Sequence, residues 1–110
     1  MRAPKPLGEF EQLVLLAILQ LDAEAHGVGI GRALEEHAGR SVSRGALYTT
    51  LDRLESKGFV RWRIAAGGDE RARLPRRLYT VTAKGIAAVR HSHRALTRLA
   101  RGLESILKDS

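Results

Sequence analysis

Between Glu9 and Val81 the hydrophobic period changes once. Three successive stretches repeat their apolar residues three and four apart, and from Phe59 onward the chain alternates instead. Helices repeat near 3.6 residues and half-buried strands at 2, so the order helix, helix, helix, hairpin constrains this chain more than any other feature. In the first stretch, Glu9 to Leu21, the residues Phe10, Leu13, Leu16, Ala17 and Leu21 form the stripe. Val14, Leu15, Ile18 and Leu19 widen it to nearly the whole circumference, which predicts a central helix buried on several sides. The second helix follows Gly27, with Val28, Ile30, Ala33, Leu34 and Ala38 as apolar positions and Gly39 as its stop. The third follows the hydroxyl caps of Ser41 and Ser43 and carries Ala46, Leu47, Leu51 and Leu54 to Lys57-Gly58. Phe59 to Ile64 and Arg77 to Val81 read as two strands. Between them Ala65 to Arg76, with Gly67-Gly68 and Pro75, predicts a hairpin with a long basic tip.

Thr82 can cap a last helix in which Val89, Leu96 and Leu103 fall seven apart, and Ser92, Leu99 and Ile106 fall three after each. That is the a/d seam of a coiled coil over about three heptads, with Ser92 its one polar member. A stripe this narrow on so small a protein predicts pairing with a second copy through Val89, Leu96, Leu99, Leu103 and Ile106. The expected organisation is a flexible arm over residues 1–6, a winged helix-turn-helix domain over 7–82 and a dimerisation helix over 83–110. The fold class is mainly α with a small β-hairpin, a winged helix-turn-helix plus a C-terminal helix.

Charge is unevenly placed along the 110 residues. The first 60 carry seven basic and eight acidic residues, net −1, and the remaining 50 carry twelve basic and four acidic, net +8. Six of those twelve lie between Arg61 and Arg77. Basic residues around a Gly turn are the footprint of a segment that approaches phosphates, although a solvated surface gives the same composition. With no cysteine, disulfide frameworks, thiol catalysis and Cys-based zinc sites are excluded. His91 and His93 stand 200° apart on a helix and cannot share a metal, and no HExxH, P-loop or nucleophile elbow occurs. Neither an enzyme, a cofactor nor a metal is expected. The apolar run Leu13 to Leu19 is far shorter than the ~20 residues of a membrane span, so the expectation is a cytoplasmic protein without membrane contact.

At 100° per residue, Leu47, Leu51 and Leu54 share one face of the third helix, leaving Arg44, Gly45, Tyr48, Thr49, Asp52 and Arg53 on the flank or opposite side. Ser43, Arg44, Gly45, Tyr48, Thr49 and Arg53 are therefore the expected groove contacts. Arginine forks suit a phosphate or the guanine edge, hydroxyls suit either, Gly45 permits close approach, and the Ser43-capped amides can receive a phosphate. In the wing, Arg73, Arg76 and Arg77 are the expected phosphate contacts. Two competing readings stand beside these: Tyr48 as a half-buried packing residue with a wet tip, and Asp52 as a partner of Arg44, Arg53 or Ser56.

The residues that carry these arguments also resemble a known family. Leu13-Val14-Leu15-Leu16-Ala17-Ile18-Leu19, His26-Gly27, the run from Ser43 to Gly58 with Gly45-Ala46-Leu47-Tyr48 at its head, and Tyr79-Thr80-Val81-Thr82-Ala83-Lys84-Gly85 are similar to the PadR family of bacterial transcription regulators. The resemblance covers residues 7–107. It implies a homodimeric DNA-binding repressor, with a single dimerisation helix, that occludes a promoter at a pseudo-palindromic operator on double-stranded DNA. The chain departs from the family pattern at His26, at Leu78 and in the wing tip Arg73-Leu74-Pro75-Arg76-Arg77. Some relatives sense flat aromatic molecules at the dimer interface, but the last helix here has no aromatic residue, so no small-molecule effector is identified. The alternative from another class is a winged-helix protein-interaction module whose DNA affinity is only non-specific.

Overall fold

The computed structural model describes residues 7–65 and 76–108. Helix α1 spans Glu9–Leu21, α2 Gly27–Ala38 and α3 Arg44–Ser56; strands β1 and β2 span Val60–Ile64 and Arg77–Val81; α4 spans Ala83–Ala100 and a single turn, α5, Glu104–Leu107. A short 3-10 turn, Asp22–Glu24, extends α1 and is not signalled by periodicity. The expected arm over residues 1–6, and the wing tip with Arg71 and Arg73, lie outside the described residues.

Local chemistry sets the helix ends. Ser43 Oγ accepts from the Ala46 amide at 3.1 Å, and Thr82 Oγ1 accepts from the Gly85 amide at 3.1 Å, so each hydroxyl satisfies one amide that its helix leaves unpaired. Thr82 Oγ1 also donates to the Gly58 carbonyl at 2.6 Å, which ties the start of α4 to the end of α3. His26 caps α2 through Nδ1, which accepts from the Gly29 amide at 3.3 Å. At this departure from the family pattern, the imidazole thus serves as a helix cap.

Helix α1 lies at the centre, against α2, α3, α4 and β2. Its own Val14, Leu15 and Ile18 are fully buried, as are Ile30, Leu34, Leu51 and Leu54 of the helices packed around it. The circumference is not wholly covered, however, because Leu16 and Leu19 remain 37% and 42% exposed. Strands β1 and β2 pair antiparallel with Val60 opposite Val81, Trp62 opposite Tyr79 and Ile64 opposite Arg77. The Tyr79 amide donates to the Ala25 carbonyl at 2.8 Å, which fastens the wing to the turn before α2.

The last helix is shorter than its heptads predict. It ends at Ala100, Arg101 is extended (ψ 129°), and Gly102 sits at φ 84°, where a side chain would be strained. Leu103 and Ile106 therefore lie beyond a break and do not continue the seam. Val89 and Ser92 are buried within their own chain, Val89 inside the main core, so Val89 is a core residue and not part of an exposed dimer surface. Leu96 and Leu99 face outward, 57% and 77% exposed.

One ion pair locks α3 to the centre of the fold. Lys57 Nζ, at the end of α3, donates to Glu11 Oε2 at 2.7 Å, while Glu11 Oε1 accepts from the Gly8 amide at 3.1 Å. Burial pushes the Glu11 carboxyl up, but the hydrogen bonds from Lys57 and Gly8 and the charges of Lys57 and Arg53 outweigh it, and the group titrates below its ordinary value. A lowered carboxyl stabilises the fold above its unfolded pKa, and that stability is lost as pH falls through the folded value. Glu11→Gln is expected to cost about 1 kcal/mol at pH 7, a modest figure because Lys57 is half exposed. The gap to the parent should close in acid, on the low side of the ordinary carboxyl value of 4.5. Urea unfolding of both proteins at neutral and at strongly acidic pH checks this, and a gap that stays constant would remove the ion pair as its cause.

Candidate nucleic-acid interface

Helix α3 divides its residues cleanly. Leu47, Leu51 and Leu54 are buried in the core, and Thr50 joins them by turning its hydroxyl back to the Ala46 carbonyl at 3.0 Å. Arg44, Gly45, Thr49, Asp52 and Arg53 are exposed, and Ser43 caps the helix at the same end as Arg44. The side chains that sequence placed on the outer face thus form one solvent-facing row, with an arginine toward each end and the capped helix N-terminus beside the first. The expected pairing of Asp52 with Arg44 or Arg53 does not form; the side-chain ion pairs among the described residues are Lys57–Glu11 and Arg40–Glu9, the latter at 2.9 Å.

Tyr48 packs as one of its two readings expected. It is half-buried, and its hydroxyl end lies against the α carbon of Gly27, where any Cβ would collide with it. Gly27 therefore acts as a seat for Tyr48, and the two helices of the helix-turn-helix interlock at this point. Periodicity could not find the pair, because it links residues of two different helices. The signal available in sequence was the co-occurrence of His26-Gly27 with Gly45-Ala46-Leu47-Tyr48.

In the wing, Arg76 and Arg77 are exposed and Arg73 lies outside the described residues. Arg61 and Arg63 are also exposed on β1. Trp62 is half-buried, and the guanidinium of Arg77 lies over its ring, 4.1 Å from the centroid. Neither this stack nor the Glu11–Lys57 lock follows from the sequence pattern, since each joins residues on separate elements.

No group of three or more His, Asp or Glu that could hold a metal ion occurs among the described residues. Nor is any helix there long and apolar enough to cross a membrane. A groove of about 560 Å³ runs between α1 and α2, lined by Leu13, Leu16, Leu19, Ala33, Leu34 and His37 among others, and it is largely apolar.

The geometry has counterparts in known proteins. Residues 15–91 match the model of the family described as Transcriptional regulator PadR-like family. The chain is 43% identical over 82 residues to transcriptional regulator Rv3488 of Mycobacterium tuberculosis, a match covering 73% of this chain and 70% of that protein. Among solved structures, a PadR family transcriptional regulator from Eggerthella lenta superposes with a TM-score of 0.66 at 28% identity, over 93% of this chain and 88% of that one. A PadR family regulator from Clostridium difficile gives 0.72 over 92% and 100% of the two chains, and at 19% identity it speaks for the fold alone.

Proposed function

The chain belongs to the transcriptional regulator PadR-like family, and on that premise we propose that it is a homodimeric, sequence-specific repressor that occludes its promoter. The observation that carries the reading is the exposed row on α3. An apolar face sunk in the core leaves Arg44, Gly45, Thr49 and Arg53 outward, beside capped amides at Ser43, which is what a helix entering a major groove requires. Tyr48 contributes from the edge of that row, its ring seated on Gly27. Arg76, and Arg73 at the tip, add phosphate contacts from the wing.

The second copy covers apolar surface that one chain leaves bare. Leu96, Leu99, Leu103 and Ile106 are all more than 40% exposed, and with Leu16 and Leu19 of α1 they supply the contact. Two recognition helices then meet half-sites about 34 Å apart, one turn of the duplex, so the operator is pseudo-palindromic. The place of action is the cytoplasm, where the DNA is. No effector is assigned.

The test is binding to the DNA upstream of the protein's own gene, with scrambled competitor, at about 150 mM salt. One symmetric protected site is expected, held on the order of 10³-fold more tightly than random DNA. Arg44→Ala should lower that affinity by about 10- to 100-fold, the worth of one bidentate base contact, while leaving the fold intact. Binding that is equally weak to every sequence, and indifferent to Arg44→Ala, would instead favour a protein-interaction module.

A further inference from the structure

We propose that Arg77 is a positioning residue: stacked on Trp62 across the hairpin, it fixes the two strands of the wing to one another, and it acts on DNA through that placement, not through a phosphate. The effect on DNA rests on the reading of the chain as a DNA-binding regulator; the placement itself does not.

The strand register dictates the cluster. Trp62 lies opposite Tyr79, and Arg77 is two residues from Tyr79 on the same strand, so all three side chains stand on one face of the hairpin. Trp62 and Tyr79 belong to the inner face, since Tyr79 is 2% exposed and Trp62 packs against the core. Arg77 shares that face at its exposed end and lies over the Trp62 ring, 4.1 Å from the centroid, well within the reach of a cation–π contact. The buried Tyr79 hydroxyl makes no well-aligned hydrogen bond, and Arg77 is the cation beside it. That hydroxyl foremost, and then the carboxylates of Asp52 and Glu55 on α3, hold Arg77 above the ordinary arginine value against the opposing effect of desolvation.

The guanidinium thus lies over the Trp62 ring on the same face as the Tyr79 phenol. A cation so placed links β2 to β1 through the stack. Arg61 and Arg63, by contrast, alternate with Trp62 onto the opposite face of β1, away from this cluster.

The chain has a single tryptophan, so Trp62 emission reports the stack directly. Arg77→Leu and Arg77→Lys are both expected to shift that emission in the DNA-free protein, because lysine keeps the charge but not the plane, whereas Arg76→Ala should leave it unchanged. On the protected DNA site, Arg77→Leu should weaken binding by about 3- to 30-fold with the same salt slope. Arg76→Ala should reduce the slope by about 0.9 for each phosphate it no longer neutralises. Combining Arg77→Leu with Trp62→Leu should weaken binding no further than the worse single change, since both break one link.

Unchanged Trp62 emission in Arg77→Leu and Arg77→Lys overturns the proposal, whatever the DNA results. So does a lowered salt slope in Arg77→Leu that Arg77→Lys restores, for that is the signature of a phosphate contact. If the parent protein prefers no DNA sequence, the function proposed above fails; a shifted emission in both variants would still support the placement.

Discussion

Leu51→Ala is expected to destabilise the protein by about 2–5 kcal/mol, with a fall in Tm of about 10–20 °C. Leu51 is fully buried, one turn beyond Leu47 and three residues before Leu54, at the middle of the apolar face by which α3 is held. Truncation removes the transfer free energy of the side chain and leaves a cavity between α3 and α1 that rigid neighbours fill only in part. Leu51→Met, which conserves volume, should cost less than about 1.5 kcal/mol. Measured by urea unfolding at equal protein concentration, the alanine variant should shift its midpoint without changing the slope, as a loss of stability does. Operator affinity per folded molecule should fall as well, because the outer face of α3 is only as well aimed as its inner face is packed. A cost under about 1 kcal/mol, below the range for a buried leucine, would mean that the site collapses freely and that α3 is held chiefly by Glu11–Lys57 and the Thr82–Gly58 bond.

The helix-turn-helix was legible because its boundaries are written in local chemistry. Ser43, Thr82 and Gly39 act within three or four residues of themselves, so these caps read from sequence are caps in the fold, whereas Ser41, the other hydroxyl expected to cap α3, lies ahead of the helix and does not cap it. The division of α3 into inner and outer faces follows from a 100° step and needs no knowledge of partners. What escaped were contacts between elements. Glu11 and Lys57 are 46 residues apart, Gly27 and Tyr48 lie on different helices, and Arg77 reaches Trp62 only through the strand register. Tyr48 shows the limit well: periodicity put it at the edge of the outer face, correctly, yet could not say that its tip would rest on a glycine. For Arg77, a count of basic residues could not register the face of the hairpin it occupies, on which it lies over Trp62.

The sharpest case is the final helix, where a single heptad pattern divides between the core and the exposed surface. Val89 and Leu99 both belong to the seam in sequence, but Val89 is 6% exposed inside its own core and Leu99 is 77% exposed. The same substitution should therefore have opposite consequences at the two positions. Val89→Asp buries an unpaired charge in the folded chain and is expected to unfold the protein outright. Leu99→Asp places its carboxylate in water on a single chain, where the change in stability should stay within about 0.5 kcal/mol. In the proposed dimer that carboxylate would have to be desolvated without a partner, so the variant should sediment as a folded monomer. Losing the second half-site converts an intramolecular second contact into a bimolecular one, and operator affinity should fall by about 10²- to 10⁴-fold without any DNA-contacting residue being touched. A Leu99→Asp protein that sediments like its parent would place the dimer contact elsewhere, and would turn attention to Leu16 and Leu19 on α1, which a single chain also leaves in water.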